Sequence, residues 1–162
     1  MYRMQKVAPF LWFDTQAEEA ANHYVGIFKD ARILEVVRHG DAGPGPKGTV
    51  LTVALEIHGQ QFTLLNGGPQ FHFSEAVSFV VRCDDQAEID TLWAQLSANG
   101  GQAGQCGWVR DRFGLWWQLV PPVLIEMLQD KDRARATRAM QAMLKMGKLD
   151  IAALEAAHAG GG

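Results

Sequence analysis

The stretch Cys106-Gly107-Trp108-Val109-Arg110-Asp111-Arg112-Phe113-Gly114-Leu115-Trp116-Trp117-Gln118-Leu119-Val120-Pro121-Pro122 decides how the chain reads. Two apolar runs, residues 108–109 and 115–120, flank the polar, glycine-ended segment 110–114, which is the pattern of a β-hairpin. Side chains alternate along a strand, so Trp116, Gln118 and Val120 share one face while Trp117 and Leu119 share the other. Both faces are largely apolar, which places the outgoing strand between two layers. Gln118 is the one polar residue on it.

Upstream of the hairpin, residues 77–83 read as a strand, and Asp85 and Glu88 have the spacing of a helix capping box. Ile89, Leu92, Trp93 and Leu96 then supply an apolar helical stripe that Asn99-Gly100-Gly101 ends. The same order occurs 70 positions earlier: residues 7–13 form an apolar run, Thr15 and Glu18 repeat the capping spacing, and Ala17, Ala20, Ala21 and Tyr24 give the stripe. Extended segments follow each helix, at 33–38, 50–57 and 61–66 in the first half and at 102–106, 108–112 and 115–120 in the second. The repeat predicts an α+β fold, one domain over residues 1–162 made of two β-α-β-β-β modules, about 6–66 and 76–121. After Pro121-Pro122 the pattern becomes helical, predicting an extension over 122–158 with helices at 123–129, 132–146 and 150–157.

Composition narrows the function. The chain is 48% hydrophobic and 20% charged with a formal net charge of −3, and it has no basic block interleaved with aromatics, so nucleic acid is not an expected partner. No span suits a membrane and the first residues lead straight into a strand, so a cytoplasmic protein is expected, with no membrane partner. Cys83 and Cys106 match neither a disulfide framework nor a paired metal site, and both are expected as free thiols.

The duplicated module, together with Leu65-Asn66-Gly67-Gly68-Pro69, Ala76-Val77-Ser78-Phe79, and Cys106-Gly107-Trp108 running into Phe113-Gly114-Leu115-Trp116-Trp117-Gln118, resembles the PhnB-like (3-demethylubiquinone-9 3-methyltransferase-like) branch of the glyoxalase/bleomycin-resistance/dioxygenase superfamily. The resemblance spans about residues 6–158. It implies a vicinal-oxygen-chelate fold, in which two curved half-barrels enclose a ligand cavity, usually within a homodimer. Metal-using members carry His or Gln at the start of each module's first strand and carboxylates on the last strands. Counted onto this chain, those positions fall on Val7, Val77, Gln118, and near Phe62 or Leu64. One neutral amide among apolar residues cannot repay the dehydration of a divalent cation, so no metal and no cofactor are expected. Methyl transfer finds no support either, because no strand, Gly-x-Gly turn and helix occur in the order a nucleotide-type cofactor needs.

The candidate ligand contacts are Gln118, Trp116, Trp108, Asn66 and His72. An amide can orient a ligand carbonyl or hydroxyl, and tryptophans can wall a planar body. Asn66 opens a glycine turn whose amides could face an anion, and His72 between two phenylalanines could exchange protons near neutral pH. Each has a plainer role: packed amide, core aromatic, module-joining turn, surface histidine. Trp12 and Trp117 could join the same aromatic wall, though aromatics on short strands are more often core; His23 reads as a helix-face residue, His58 as a hairpin turn, Cys106 as a packed thiol and Asp111 as a charged turn. Catalytic residues stay unassigned. The leading expectation is a metal-free homodimer binding a small, uncharged or aromatic molecule. Two alternatives stay open: a metal-dependent lyase, isomerase or dioxygenase with atypical ligands such as His72, and a dimeric interaction protein whose cavity its own tryptophans fill.

Overall fold

The computed structural model describes residues 1–161, which divide into two compact units, Met1–Phe73 and a second from Ser74 onward. The first unit runs β1 (Phe10–Phe13), α1 (Ala17–Ile27), β2 (Ala31–Arg38), β3 (Val50–Ile57), β4 (Gln60–Asn66). Its sheet has the order β1-β4-β3-β2, with β1 parallel to β4 and the other pairs antiparallel. Strand alternation puts Leu11, Phe13, Val53, Leu55, Phe62 and Leu64 on one buried face. Ala17, Ala20, Ala21 and Tyr24 of α1 are buried against that sheet, and the alanines let the helix approach closely. A two-residue turn with positive φ at His58 (46°) and Gly59 (82°) joins β3 to β4, which suits the twist of a tight hairpin.

Two expectations fail here. The first strand is shorter than 7–13: Val7 lies outside β1 and is 87% exposed, and Pro9, lacking an N–H, contributes only its carbonyl, to the Thr63 amide. Thr15 and Glu18 form no capping box. Gln16 occupies the cap position without a side-chain capping bond, and the Ala17 amide instead donates to Oδ1 of Asn66 at 2.8 Å.

The second unit repeats the topology with β5 (Ser78–Arg82), α2 (Gln86–Ser97), β6 (Gln102–Ala103), β7 (Trp108–Arg110) and β8 (Trp116–Val120), in the sheet order β5-β8-β7-β6. Val109, Trp117 and Leu119 are buried on one face, and Ile89, Leu92 and Leu96 are the buried side chains of α2, the helix that packs against this sheet. Here the capping box is real: the Glu88 amide donates to Oδ1 of Asp85 and the Asp84 amide to Oε2 of Glu88.

Asp111 corrects another expectation. Its carboxylate is fully buried and organises the β7–β8 turn, accepting from the Phe113 amide (2.9 Å), the Leu115 amide (3.0 Å) and the Trp117 indole N–H (2.9 Å). Three donors repay much of the cost of burying a charge that a simple surface turn would never incur.

Three helices follow, α3 (Pro122–Leu128), α4 (Arg133–Leu144) and α5 (Ile151–Ala159). Leu124, Met127, Ala139, Leu149 and Leu154 form their shared core, with Val120 and Met143 packed against it. Arg138 ties α4 to α5 by donating to the carbonyls of Ala157 and His158. The connection ahead of α5 is stitched to the turn between β6 and β7, since the amides of Cys106 and Gly107 donate to the carbonyls of Met146 and Gly147. Among the described residues no helix is long and apolar enough to cross a membrane.

Candidate functional site

Gln118 sits at the centre of the sheet face that α2 leaves uncovered. In register it pairs with Val80 of β5 on one side and Trp108 of β7 on the other, so all three side chains share that face. Ser78, Arg110 and Trp116 occupy the next pairs along. The Gln118 amide nitrogen donates to the Ser78 hydroxyl at 2.9 Å, which fixes the orientation of the side chain. Its carbonyl oxygen accepts from no described group, and Gln118 remains half-buried beside Val80, which is 64% exposed. A buried amide satisfied on both sides would have no spare acceptor; this one does.

The tryptophans divide. Trp108 is half-buried and meets Trp116 edge-on at 6.3 Å. Trp116 itself is only 8% exposed, because its ring lies against Gly104, where a Cβ would come within 3.1 Å of it. It therefore supports Trp108 more than it offers area of its own. Trp117 faces the α2 side, bonded to Asp111, and Trp12 donates its indole N–H to the Gly68 carbonyl while packing edge-on to Phe71 at 4.9 Å.

Asn66 and His72 belong to the first unit. Both ends of the Asn66 amide are spent within the first unit, one on Ala17 and the other on the Val50 carbonyl, and the Gly67 amide is spent on Phe13. That turn has little left to offer an anion. His72 is exposed on the segment after β4. Of the remaining candidates, His23 is half-buried on α1 and His58 forms the β3–β4 turn. Cys83 is buried and its thiol is pushed up to about 12, first by desolvation and then by Glu88, Asp84 and Asp85, which makes it a poor nucleophile. Cys106 and Cys83 are both free thiols.

The register also relocates the positions inferred for the first module. Phe62 and Leu64 lie on the face buried under α1, while the residue matching Gln118 is Thr63, which pairs with Phe10 as Gln118 pairs with Val80. Counting four residues on from the hairpin glycine finds Gln118 from Gly114 and would have found Thr63 from Gly59. Likewise the first-strand residues beside these positions are Phe10 and Val80 rather than Val7 and Val77. Ser78, two residues before Val80 and hence on the same face, is a further site residue, and strand alternation is the signal that points to it.

Thr63 and Phe10 line an open pocket of about 190 Å³ in the first unit, flanked by Tyr2, Met4, Gln5, Lys6, Ala8 and Pro9 of the N-terminal arm. Gln61 and Gln5 hold that arm by reciprocal bonds: the Gln5 amide donates to Oε1 of Gln61, the Gln61 amide donates to Oε1 of Gln5, and Nε2 of Gln61 donates to the Arg3 carbonyl.

The donors around Gln118 do not fit a divalent metal ion. They are one amide and one hydroxyl already bonded to each other, next to a guanidinium. Among the described residues no three His, Cys, Asp or Glu side chains are grouped to hold a metal.

The family model described as 3-demethylubiquinone-9 3-methyltransferase matches residues 5–120. No curated protein matches the chain. Among solved structures, the Bacillus cereus PhnB protein is 32% identical with a TM-score of 0.66, covering 72% of this chain and 99% of its own. A protein from Pseudomonas aeruginosa is 20% identical with a TM-score of 0.60, over 73% of this chain and 98% of its own. Both relatives are spanned almost whole by less than three quarters of this chain, and the family match stops at β8, so α3 to α5 lie beyond what the family model describes. The family match over most of the chain and the 32% identity to the PhnB protein make the chain a member of the PhnB-like family, the family whose model bears the name 3-demethylubiquinone-9 3-methyltransferase.

Proposed function

We propose that the protein binds a small, partly apolar organic molecule on the sheet face of Gln118, without a metal ion. The carrying observation is the Gln118 side chain: Ser78 holds its nitrogen, and its carbonyl oxygen is left as a fixed acceptor between Val80 and Trp108. Burial of apolar ligand area against those two side chains contributes roughly 25 cal/mol per Å² before ordering costs, and the amide sets the pose. Methyl transfer, named in the family's description, is not part of this reading. Among the described residues the only parallel pairs are β1–β4 and β5–β8, and neither β1 nor β5 leads into its helix through a Gly-x-Gly turn. The reading includes a homodimer, supported by the exposed apolar side chains Phe10, Val77 and Val80 on or beside the uncovered sheet faces, and a cytoplasmic setting, supported by two free thiols.

The test is a screen of small aromatic molecules by tryptophan fluorescence, with and without a chelator, on the wild type and on Gln118→Leu. Saturable binding that survives the chelator and weakens about tenfold in the variant supports the reading. Binding that appears only with added zinc, iron or manganese overturns it. Light scattering at micromolar concentration checks the dimer. A second reading, in which the C-terminal helices form an interaction surface, is favoured by one observation: α4 lies beyond the family match and leaves Met140 (38%) and Leu144 (59%) exposed.

A further inference from the structure

The Gln118 face also carries a positive charge, that of Arg110. Arg110 pairs in register with Trp116 and lies diagonally across from Gln118 on the same face. Its guanidinium rests over Gly114, where an added Cβ would come within 3.3 Å of Nη2, so the missing side chain of that glycine provides its seat. Arg110 is half-buried, yet among the described residues its guanidinium has neither a carboxylate partner nor a hydrogen bond. The other arginine of the face, Arg82 at the end of β5, is paired with Asp84 at 3.2 Å. The residue opposite Arg110 on β6 is Gln102, which is neutral. A partly desolvated guanidinium left unpaired is a cost that a bound anion would offset, and its planar fork matches a carboxylate.

Resting on the proposed binding function, we infer that the ligand is a monocarboxylate with an apolar, preferably aromatic body: the carboxylate on Arg110, the body against Trp108 and Val80, and an N–H or O–H group donating to the Gln118 carbonyl oxygen. A monoanion is favoured over a phosphate monoester because the face offers one unpaired cation, and a dianion would keep excess charge in a half-dry site. This revises the uncharged ligand expected from the sequence.

The experiment is a two-dimensional ¹H–¹⁵N titration of the full chain with benzoate, benzamide and phenyl phosphate, following the Trp108 indole and Gln118 side-chain resonances. Benzoate is expected to bind about tenfold more tightly than benzamide at low salt, and Arg110→Gln to abolish that preference. Arg110→Lys keeps the charge but loses the fork, and is expected to retain part of the preference. If benzoate and benzamide bind this face alike, the carboxylate inference falls while the binding function stands. Tighter binding of phenyl phosphate than of benzoate, or benzoate shifts mapping away from β7 and β8, would also overturn it. No shift on this face with any probe overturns both. The comparison of benzoate with benzamide needs only the wild type, so it decides the matter even if Arg110→Gln does not fold.

Discussion

In the first unit the helix N-terminus is held from outside, by Asn66 at the end of the last strand, whereas in the second the helix caps itself through Asp85 and Glu88. The hairpins differ in the same way. His58-Gly59 turns in two residues on backbone conformation alone, while the loop between β7 and β8 is built around a buried carboxylate. One topology is thus stabilised by two sets of local devices, and what the units share is the alternation that buries one sheet face beneath a helix. Conserving a fold across a repeat requires the pattern and the strand order; caps and turns are free to change provided each orphan backbone group finds a partner.

The most damaging way to break this comparison is Asp111→Ala. It leaves two backbone amides and the Trp117 indole without an acceptor in a buried turn, and a loss of about 3 kcal/mol is expected in urea unfolding. The matching change in the other hairpin, His58→Asn, should alter stability by no more than about 0.5 kcal/mol, since asparagine accepts positive φ readily. A similar cost for both would mean that the two turns are not built differently.

Each unit also seats a tryptophan on a glycine, and the seats are unequally rigid. A Cβ on Gly104 would stand 2.7 Å from the Trp108 carbonyl oxygen, which is backbone and cannot step aside. A Cβ on Gly67 would meet the Trp12 ring, which can rotate away at the loss of its bond to Gly68. Gly104→Ala is expected to cost about 2–3 kcal/mol and Gly67→Ala about 1–2 kcal/mol, with the Trp12 contribution to fluorescence altered only in the second. Equal costs and unchanged spectra would contradict the packing described.

The caps give the next effect. Asn66→Ala removes the acceptor for Ala17 and the donor to Val50, and should cost about 1–2 kcal/mol; Asp85→Ala removes one cap and should cost about 1 kcal/mol. The smallest effect expected is that of Thr15→Ala, within about 0.5 kcal/mol, because Thr15 caps nothing. Thermal melts of the three variants side by side would test this order, and a loss at Thr15 equal to that at Asp85 would restore the capping box at the first helix.

The repeat, the α+β class, the hairpin around residue 114 and the helical extension could all be read in the sequence, because alternation, helical stripes and glycine punctuation are local and leave a periodic trace. The polar position on the last strand of the second module was legible for the same reason: Gln118 breaks an apolar run. Register was not. Whether Phe62, Thr63 or Leu64 matches Gln118 depends on a shift of one residue, which moves a side chain to the opposite face, and only strand pairing decides it. Nor could the chain alone assign Asn66 to a helix 49 residues away, distinguish Asp111 from an ordinary surface acid, or show that Ser78 holds Gln118 across 40 residues. Those bonds join positions distant in sequence, and nothing in the local pattern records which buried donor a given acceptor will meet. Arg110 is the same lesson in charge: the sequence places it between Val109 and Asp111, and only the folded sheet face shows it half-buried, seated on Gly114 and without a carboxylate partner among the described residues.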